Sequence, residues 1–331
     1  MEVNAIIPRH LFCFFFPLLL SIYIIPILIK IAFKFKVLDH PDGNIKNHKK
    51  PTPYLGGFAL YIPFIATLAI AYPFENQILW LLLGVTLLLF VGFIDDLKVL
   101  KPLQKFFGQI VAVICFLKGG YSLKTNFFSD FFNVIISAFW MLSIINAFNL
   151  IDVMDGLTAT ISICASLSFL FIAFYFKQYA LTILLLAFIA PLIVFFFYNK
   201  PSAKIYLGDA GALFVGGFFA AIPQLFSWSK QHSFAYYVPV IILAIPLLEL
   251  FFLVLIRSFK RIPFYRGTPH HFALYLKRKD WSVKKILFFV SLSGLALFLV
   301  SILFLFQYIN LIHLFLIGFV FLLLWIWFVF I

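Results

Sequence analysis

The chain has 331 residues, of which 64% are apolar, 21% aromatic and 11% charged, with a formal net charge of +13 at pH 7. Soluble domains carry roughly 25% charged residues, and single soluble cores stop growing near ~250–300 residues, so a soluble globular protein is excluded. The apolar side chains must face lipid. A membrane helix takes about 20 residues, which leaves room for roughly ten or eleven spans. The expected fold class is therefore all-α: one polytopic integral membrane domain over residues 1–331.

In chain order, apolar stretches at 11–33, 56–74, 78–94, 106–118, 131–148, 158–176, 180–198, 211–228, 236–256, 285–306 and 312–330 predict eleven helices. The first follows Arg9 and His10, lacks a small-residue cleavage site and continues past Ile31, so it reads as a retained span. Cys13, Cys115 and Cys164 lie apart in apolar runs, with neither metal spacing nor a disulfide framework, and read as buried thiols. Pro and Gly within the spans mark kinks or close helix contacts.

The connecting segments differ in basic content. Segments 34–55, 95–105, 199–210 and 257–284 hold five, three, two and eight Lys or Arg, against scattered single residues on the other side. Basic loops stay in the cytoplasm, so these four are predicted cytoplasmic, with the N-terminus outside and the C-terminus inside.

Acidic residues are scarce, so their placement is informative. Asp39, Asp42, Asp95, Asp96, Asp152, Asp155, Asp209 and Asp280 fall on the basic side, and Glu249 alone lies within a span. Ionisable groups in apolar surroundings are costly and usually functional. Asp95 and Asp96 close the third stretch and are followed by Lys98, Lys101 and Lys105. Adjacent carboxylates repel unless cations offset them, and clustered oxygens suit a divalent ion; a solvated helix end is the plainer alternative.

Asn146, Asn149, Asp152 and Asp155 recur every three residues ahead of Gly156, which on a helix makes one drifting polar stripe at the membrane edge. Amides can read a polar ligand while acids hold a metal or take a proton; a polar seam between helices is the alternative. Gly208 and Gly211 flank Asp209, and glycine permits close backbone approach to a ligand, while Tyr206 offers a ring for stacking. Lys46, His48, Lys49 and Lys50 precede a rigid Pro51-Thr52-Pro53 turn. In the last basic loop, His270-His271 follows Pro269; imidazoles add little to orientation but bind phosphate when protonated.

This ordered set resembles the polyprenyl-phosphate N-acetylhexosamine-1-phosphate transferases. These include the undecaprenyl-phosphate N-acetylglucosamine-1-phosphate transferases and, more distantly, phospho-N-acetylmuramoyl-pentapeptide transferase. Asp95-Asp96, the run Asn146 to Gly156, Gly208-Asp209-Ala-Gly211 and the His-containing loop carry the resemblance. Lys46-x-His48-x-x-Pro51-x-Pro53-x-x-Gly56-Gly57 and Lys105-x-x-x-Gln109 extend it.

The resemblance implies transfer of a sugar 1-phosphate from a UDP-sugar to a polyprenyl phosphate, releasing UMP, with Mg²⁺ or Mn²⁺ as cofactor. It implies an active site on the cytoplasmic face of the bacterial inner membrane and no nucleic-acid partner, with a homodimer left open. Asp209, Asp95 and Asp155 would hold the metal, and Asp95 or Asp96 would act on the lipid phosphate. Asn146, Asn149, Asp152 and Asp155 would serve nucleotide and metal, Tyr206 would stack on uracil, and Lys46, His48, Lys49, Lys105, His270 and His271 would face phosphates.

Several positions depart from the family's pattern. Val153-Met154 replaces Gly-Leu, Ala212 replaces Ser, Tyr54 replaces a basic residue, and Tyr275 stands where Arg is usual. Two other classes compete. A secondary transporter of an anionic substrate would place acids within spans and break its helices. The CDP-alcohol phosphotransferases share Asp152-x-x-Asp155-Gly156 but need an Ala-Arg pair and two later acids that Leu157-Thr158-Ala159-Thr160 and its sequel do not supply.

Overall fold

A computed structural model describes residues 3–39, 51–72, 75–125, 127–263 and 265–330. The chain is all-helical apart from one two-residue antiparallel pairing, β1 (Leu38–Asp39) with β2 (Thr52–Pro53). The helices are α1 (Val3–Phe35), α2 (Gly56–Ala71), α3 (Asn76–Leu97), α4 (Pro102–Lys118), α5 (Asp130–Ile151), α6 (Leu157–Tyr175) and α7 (Tyr179–Asn199). They continue with α8 (Gly208–Ala221), α9 (Val238–Ile242), α10 (Ala244–Phe259), α11 (Phe272–Arg278), α12 (Val283–Leu305) and α13 (Leu311–Phe330). Each of the eleven predicted stretches contains a helix, with described non-helical residues that include Tyr72, Phe226, Ser227 and Leu243.

The protein is an integral membrane protein with multiple spans. Among the described residues, seven helical segments suffice by length and apolarity to cross a membrane, or eight when α9 and α10 count as one span. That is fewer than the ten or eleven predicted, because α2 is 16 residues long, α4 is 17 and carries Gln104, Lys105, Gln109 and Lys118, and the last helix counts only over Leu311–Trp327. The ninth stretch bends by 72° between α9 and α10. Pro246 has no N–H to return to the Ile242 carbonyl, so the ladder cannot run through Leu243. A broken helix is one of the two features expected of a transporter.

Helix α8 is the centre. All its residues from Ala210 to Ala221 are buried, and it packs against α2, α3 and α5. Small residues let backbones approach in a bundle where lipid offers no hydrophobic gradient. Gly92 of α3 faces the Asp209 carbonyl so closely that a Cβ there would collide with it. Phenylalanines fill the rest: Phe148 stacks on Phe219 at 5.0 Å and Phe64 meets Phe218 edge-on at 5.7 Å. Lipid-facing positions such as Leu19, Tyr23 and Phe139 stay exposed.

Two observations define the ends of the bundle. The first turn of α8 meets the last turn of α3, placing Asp95, Asp96 and Asp209 at one end. At the other end the Tyr236 hydroxyl, just before α9, donates to the Lys124 carbonyl in the α4–α5 connection. Helix α10 therefore runs back toward the acidic end, and the loop after Phe259 belongs to that end.

Candidate active site

The last turn of α3, the first turns of α4 and α8, and the end of α5 converge on Lys105. Its ammonium lies 2.9 Å from Asp95 Oδ2 and 3.0 Å from Asp209 Oδ1. The Asn149 amide, oriented by the bonds around it, donates to Asp209 Oδ1 at 2.7 Å and accepts from Lys105 Nζ at 3.3 Å. The Leu100 N–H donates to the other oxygen of Asp95 at 2.7 Å. Four residues predicted separately, Asp95, Lys105, Asn149 and Asp209, thus form one network.

Asp96 has a different position from its neighbour. Its Oδ1 accepts from the Asp209 N–H at 2.8 Å and its Oδ2 from the Ala210 N–H at 3.1 Å. The carboxylate caps the positive end of α8 from another helix, satisfying two donors that a helix start leaves open. Gly208 makes room for it: its φ is +72°, and a Cβ there would lie 2.7 Å from Asp96 Oδ2. The cap fixes the backbone from which Asp209 projects. The same run is strapped to the start of α2, because Gly56 N–H donates to the Tyr206 carbonyl and Gly57 N–H to that of Leu207, each at 3.0 Å.

The predicted polar stripe is corrected. Helix α5 ends at Ile151, with Asp152 in a non-helical cap conformation, so only Asn146 and Asn149 share a helix face. Asp152 and Asp155 sit on the turn into α6, where Val153 N–H bonds back to Ile151 and Leu157 N–H to Met154. Asn146 faces Gln109, exchanging hydrogen bonds at 2.9 and 3.3 Å, one turn further into the bundle than Asn149.

Asp152 accepts from the Thr158 hydroxyl at 2.9 Å. Burial first, then the charges of Asp209 and Asp155 against the Thr158 bond, push its pKa up to about 7. Asp155 Oδ2 accepts from the Ala203 N–H at 3.1 Å, and the Gly156 N–H donates to buried Asn199, which in turn donates to the Ile205 carbonyl. Asn199 thereby ties the acidic turn to the segment entering α8. It carried no sequence signal beyond being an amide at a helix end.

Tyr206 is half-buried. Burial raises its phenol pKa, opposed by a hydrogen bond with Thr52 and assisted by the charges of Asp155 and Asp39. Its ring therefore borders the acidic turn. Lys46, His48 and Lys49 lie outside the described residues.

The histidine pair divides. Lys260 Nζ lies 2.8 Å from His270 Nε2, and burial followed by the charges of Lys260, Arg278 and Arg257 lowers the His270 pKa. Protonation of His270 is therefore disfavoured while no anion is bound beside it. His271 instead bonds Glu249, whose role sequence reasoning missed. The available signal was that Glu249 is the one acid inside a span.

The donor set can be tested against Mg²⁺. This ion binds through one or two carboxylates together with waters and substrate phosphates. Asp95 Oδ2 and Asp209 Oδ1 aim at one cation position, held here by the Lys105 ammonium, and both are hard oxygens. Both oxygens of Asp96 already accept backbone N–H groups at the cap. Among the described residues no three carboxylates, imidazoles or thiols surround one metal-sized position, so Asp155 is not brought into one set with Asp95 and Asp209. The two-carboxylate set fits an ion completed by substrate.

Residues 78–226, which span this network from α3 through α8, match the sequence pattern of glycosyl transferase family 4. A probable undecaprenyl-phosphate N-acetylglucosaminyl 1-phosphate transferase of Bacillus subtilis is 30% identical over 274 residues, covering 80% of this chain and 76% of that protein. The phospho-N-acetylmuramoyl-pentapeptide-transferases of Enterococcus hirae and Listeria innocua are 31% and 32% identical, covering 74% and 76% of this chain and 83% and 84% of theirs. The chain belongs to glycosyl transferase family 4, as a polyprenyl-phosphate sugar-1-phosphate transferase. It is an enzyme of the phosphotransferase class, and the transporter reading is set aside.

Proposed function

We propose that the protein transfers N-acetylglucosamine 1-phosphate, or a related N-acetylhexosamine 1-phosphate, from its UDP-sugar to undecaprenyl phosphate. The products are UMP and the first lipid-linked intermediate of a cell-envelope glycan. The observation that carries this reading is the Lys105 bridge between Asp95 and Asp209 at the capped start of α8. Phosphoryl transfer demands positioning and charge neutralisation more than covalent participation. A set of carboxylates beside one ammonium at a helix end serves both a water-soluble nucleotide and a lipid headgroup.

In this reading Asp95 and Asp209 hold Mg²⁺, which would neutralise diphosphate charge. Lys105 bridges the two carboxylates before substrate arrives and contacts phosphate afterwards. Asn149 reads the nucleotide, Tyr206 stacks on uracil, and Asp152 and Asp155 line the nucleotide side. The catalytic end faces the cytoplasm of a bacterial inner membrane, as the basic loops predict, and residues 1–331 act as one domain.

The test is UMP release by purified protein with undecaprenyl phosphate and a panel of UDP-sugars that includes UDP-N-acetylglucosamine and UDP-N-acetylmuramoyl-pentapeptide. Release with UDP-N-acetylglucosamine alone is the expected result. Release with the pentapeptide donor alone would overturn the sugar assignment, and release with none would overturn the reaction.

A further inference from the structure

Glu249 lies in the middle of α10 at 2% exposure, and His271 is the residue before α11 at 7%. A carboxylate in a membrane-spanning helix needs a specific partner, and both of its oxygens have one. Oε1 lies 2.7 Å from His271 Nδ1, and Oε2 accepts the Phe272 backbone N–H at 3.2 Å. The backbone donor cannot be inverted, so Glu249 must accept at that oxygen. A carboxylate can accept from both neighbours, which puts a proton on Nδ1 in either charge state of the ring. Among the described residues, the ring's side-chain bond is the one at Nδ1, and His271 keeps 7% of its surface exposed.

A second anchor acts on the same segment. Phe272 is 2% exposed and packs on Trp325 of α13 at 4.8 Å, and Trp325 packs on Phe289 of α12 at 5.9 Å. The start of α11 is therefore pinned from two sides, by the buried carboxylate and by an aromatic cluster. Arg257 Nε donates to the Thr268 hydroxyl at 3.1 Å and braces the loop leading to His271.

We infer that Glu249 is a positioning residue for His271: it fixes the ring's orientation and its Nδ1–H tautomer, so that Nε2 is the one atom presented at the acidic end of the bundle. Such an Nε2 accepts a proton when the ring is neutral and donates when it is cationic, with no change of partner at Nδ1. That versatility suits a group beside phosphates and a hydroxyl or water that exchange protons. For its role in turnover the inference rests on the transferase reading above; for the tautomer it does not.

Glu249→Gln separates the possibilities. The Gln oxygen must still accept from Phe272 N–H, so its NH₂ faces Nδ1, which then has to accept, and the ring proton moves to Nε2. Nitrogen-15 spectra of histidine-labelled protein in detergent, with the His271 signals assigned by their loss in His271→Gln, read this directly. The expected result is an Nδ1–H ring in the wild type and an Nε2–H ring in Glu249→Gln.

In turnover, kcat should fall about tenfold or more with KM for the UDP-sugar within about twofold. The double variant Glu249→Gln/His271→Gln should be no slower than His271→Gln alone. A wild-type ring protonated on Nε2 when neutral, an unchanged tautomer in Glu249→Gln, or additive losses in the double variant would each overturn the assignment. The expected spectra with no UMP release from any donor would uphold the positioning of His271 and overturn the transferase reading.

Discussion

Two groups of charges are held at one end of this apolar bundle, and they are balanced differently. Around Lys105, one ammonium bridges Asp95 and Asp209 while Asp96, Asp152 and Asp155 are held by neutral donors: backbone N–H groups and a threonine hydroxyl. At Glu249, one carboxylate faces one imidazole and one backbone N–H, and both oxygens are satisfied. The first arrangement carries an excess of negative charge that a cation and a phosphate-bearing substrate can complete. The second is complete already, which is what a support requires.

The comparison breaks first at Asp209. Asp209→Asn keeps the volume and the backbone cap but removes one of the two charges that face Lys105. A loss of UMP release of about a thousandfold is expected, with protein level in the membrane unchanged. Asp95→Asn should behave alike. Full activity in both would dissolve the metal assignment.

Lys105→Met comes next. Removing one member of a buried ion set leaves an uncompensated charge, here discounted because the Asp209 side chain is 36% exposed. The variant should lose about a hundredfold in kcat and melt at a lower temperature than the wild type in chelator. Added Mg²⁺ should restore more of the melting temperature in Lys105→Met than in the wild type, since the divalent ion would replace the missing cation. Equal shifts in the two proteins would show that Mg²⁺ does not occupy the Lys105 position.

Asp96→Asn tests whether the second acid of the pair is a cap or a reactant. An amide can accept one of the two N–H bonds from Asp209 and Ala210 but not both. A cap predicts a loss of about 0.5–2 kcal/mol in stability and about a tenfold loss in kcat through a displaced Asp209. A reactant predicts inactivity at unchanged stability. Thermal melts and turnover on the same preparation decide between them.

Much of the fold was legible because it follows from composition: each predicted apolar stretch contains a helix. The 72° bend was not, since Pro246 reads equally as a tolerated kink. At the site, Asp95, Asp209 and Asn149 were visible as polar residues in apolar text, whereas Lys105, read as part of the loop 95–105, stands in the first turn of α4. The distinction between Asp95 and Asp96 was hidden, because adjacent residues on a helix point about 100° apart and only the position of α8 says which one meets a backbone. Asn146 and Asp155 share a period of three but not a helix, since the chain leaves α5 at Ile151. Glu249 and His271 were each visible and their pairing was not: 22 residues and a loop separate them.

The smallest effect concerns pH and separates the two groups without substrate. Asp152 has its pKa raised to about 7 in the folded protein, against about 3.9 in an unfolded chain. Between those values the folded state retains a proton that the unfolded state has lost, so folding stability falls as pH rises. The contribution is fully present below about pH 4 and gone above about pH 7. In chelator and detergent, the wild-type melting temperature should decline by a few degrees from pH 5 to pH 8, and Asp152→Asn should make that decline shallower. Thr158→Ala removes a bond that favours the ionised form, so its decline should extend to higher pH. Glu249→Gln leaves Asp152 untouched, so adding Asp152→Asn to it should change the slope by as much as in the wild type. A slope that survives Asp152→Asn would mean that another group at the acidic end carries the proton, and that the Lys105 network is more nearly balanced than its bonds suggest.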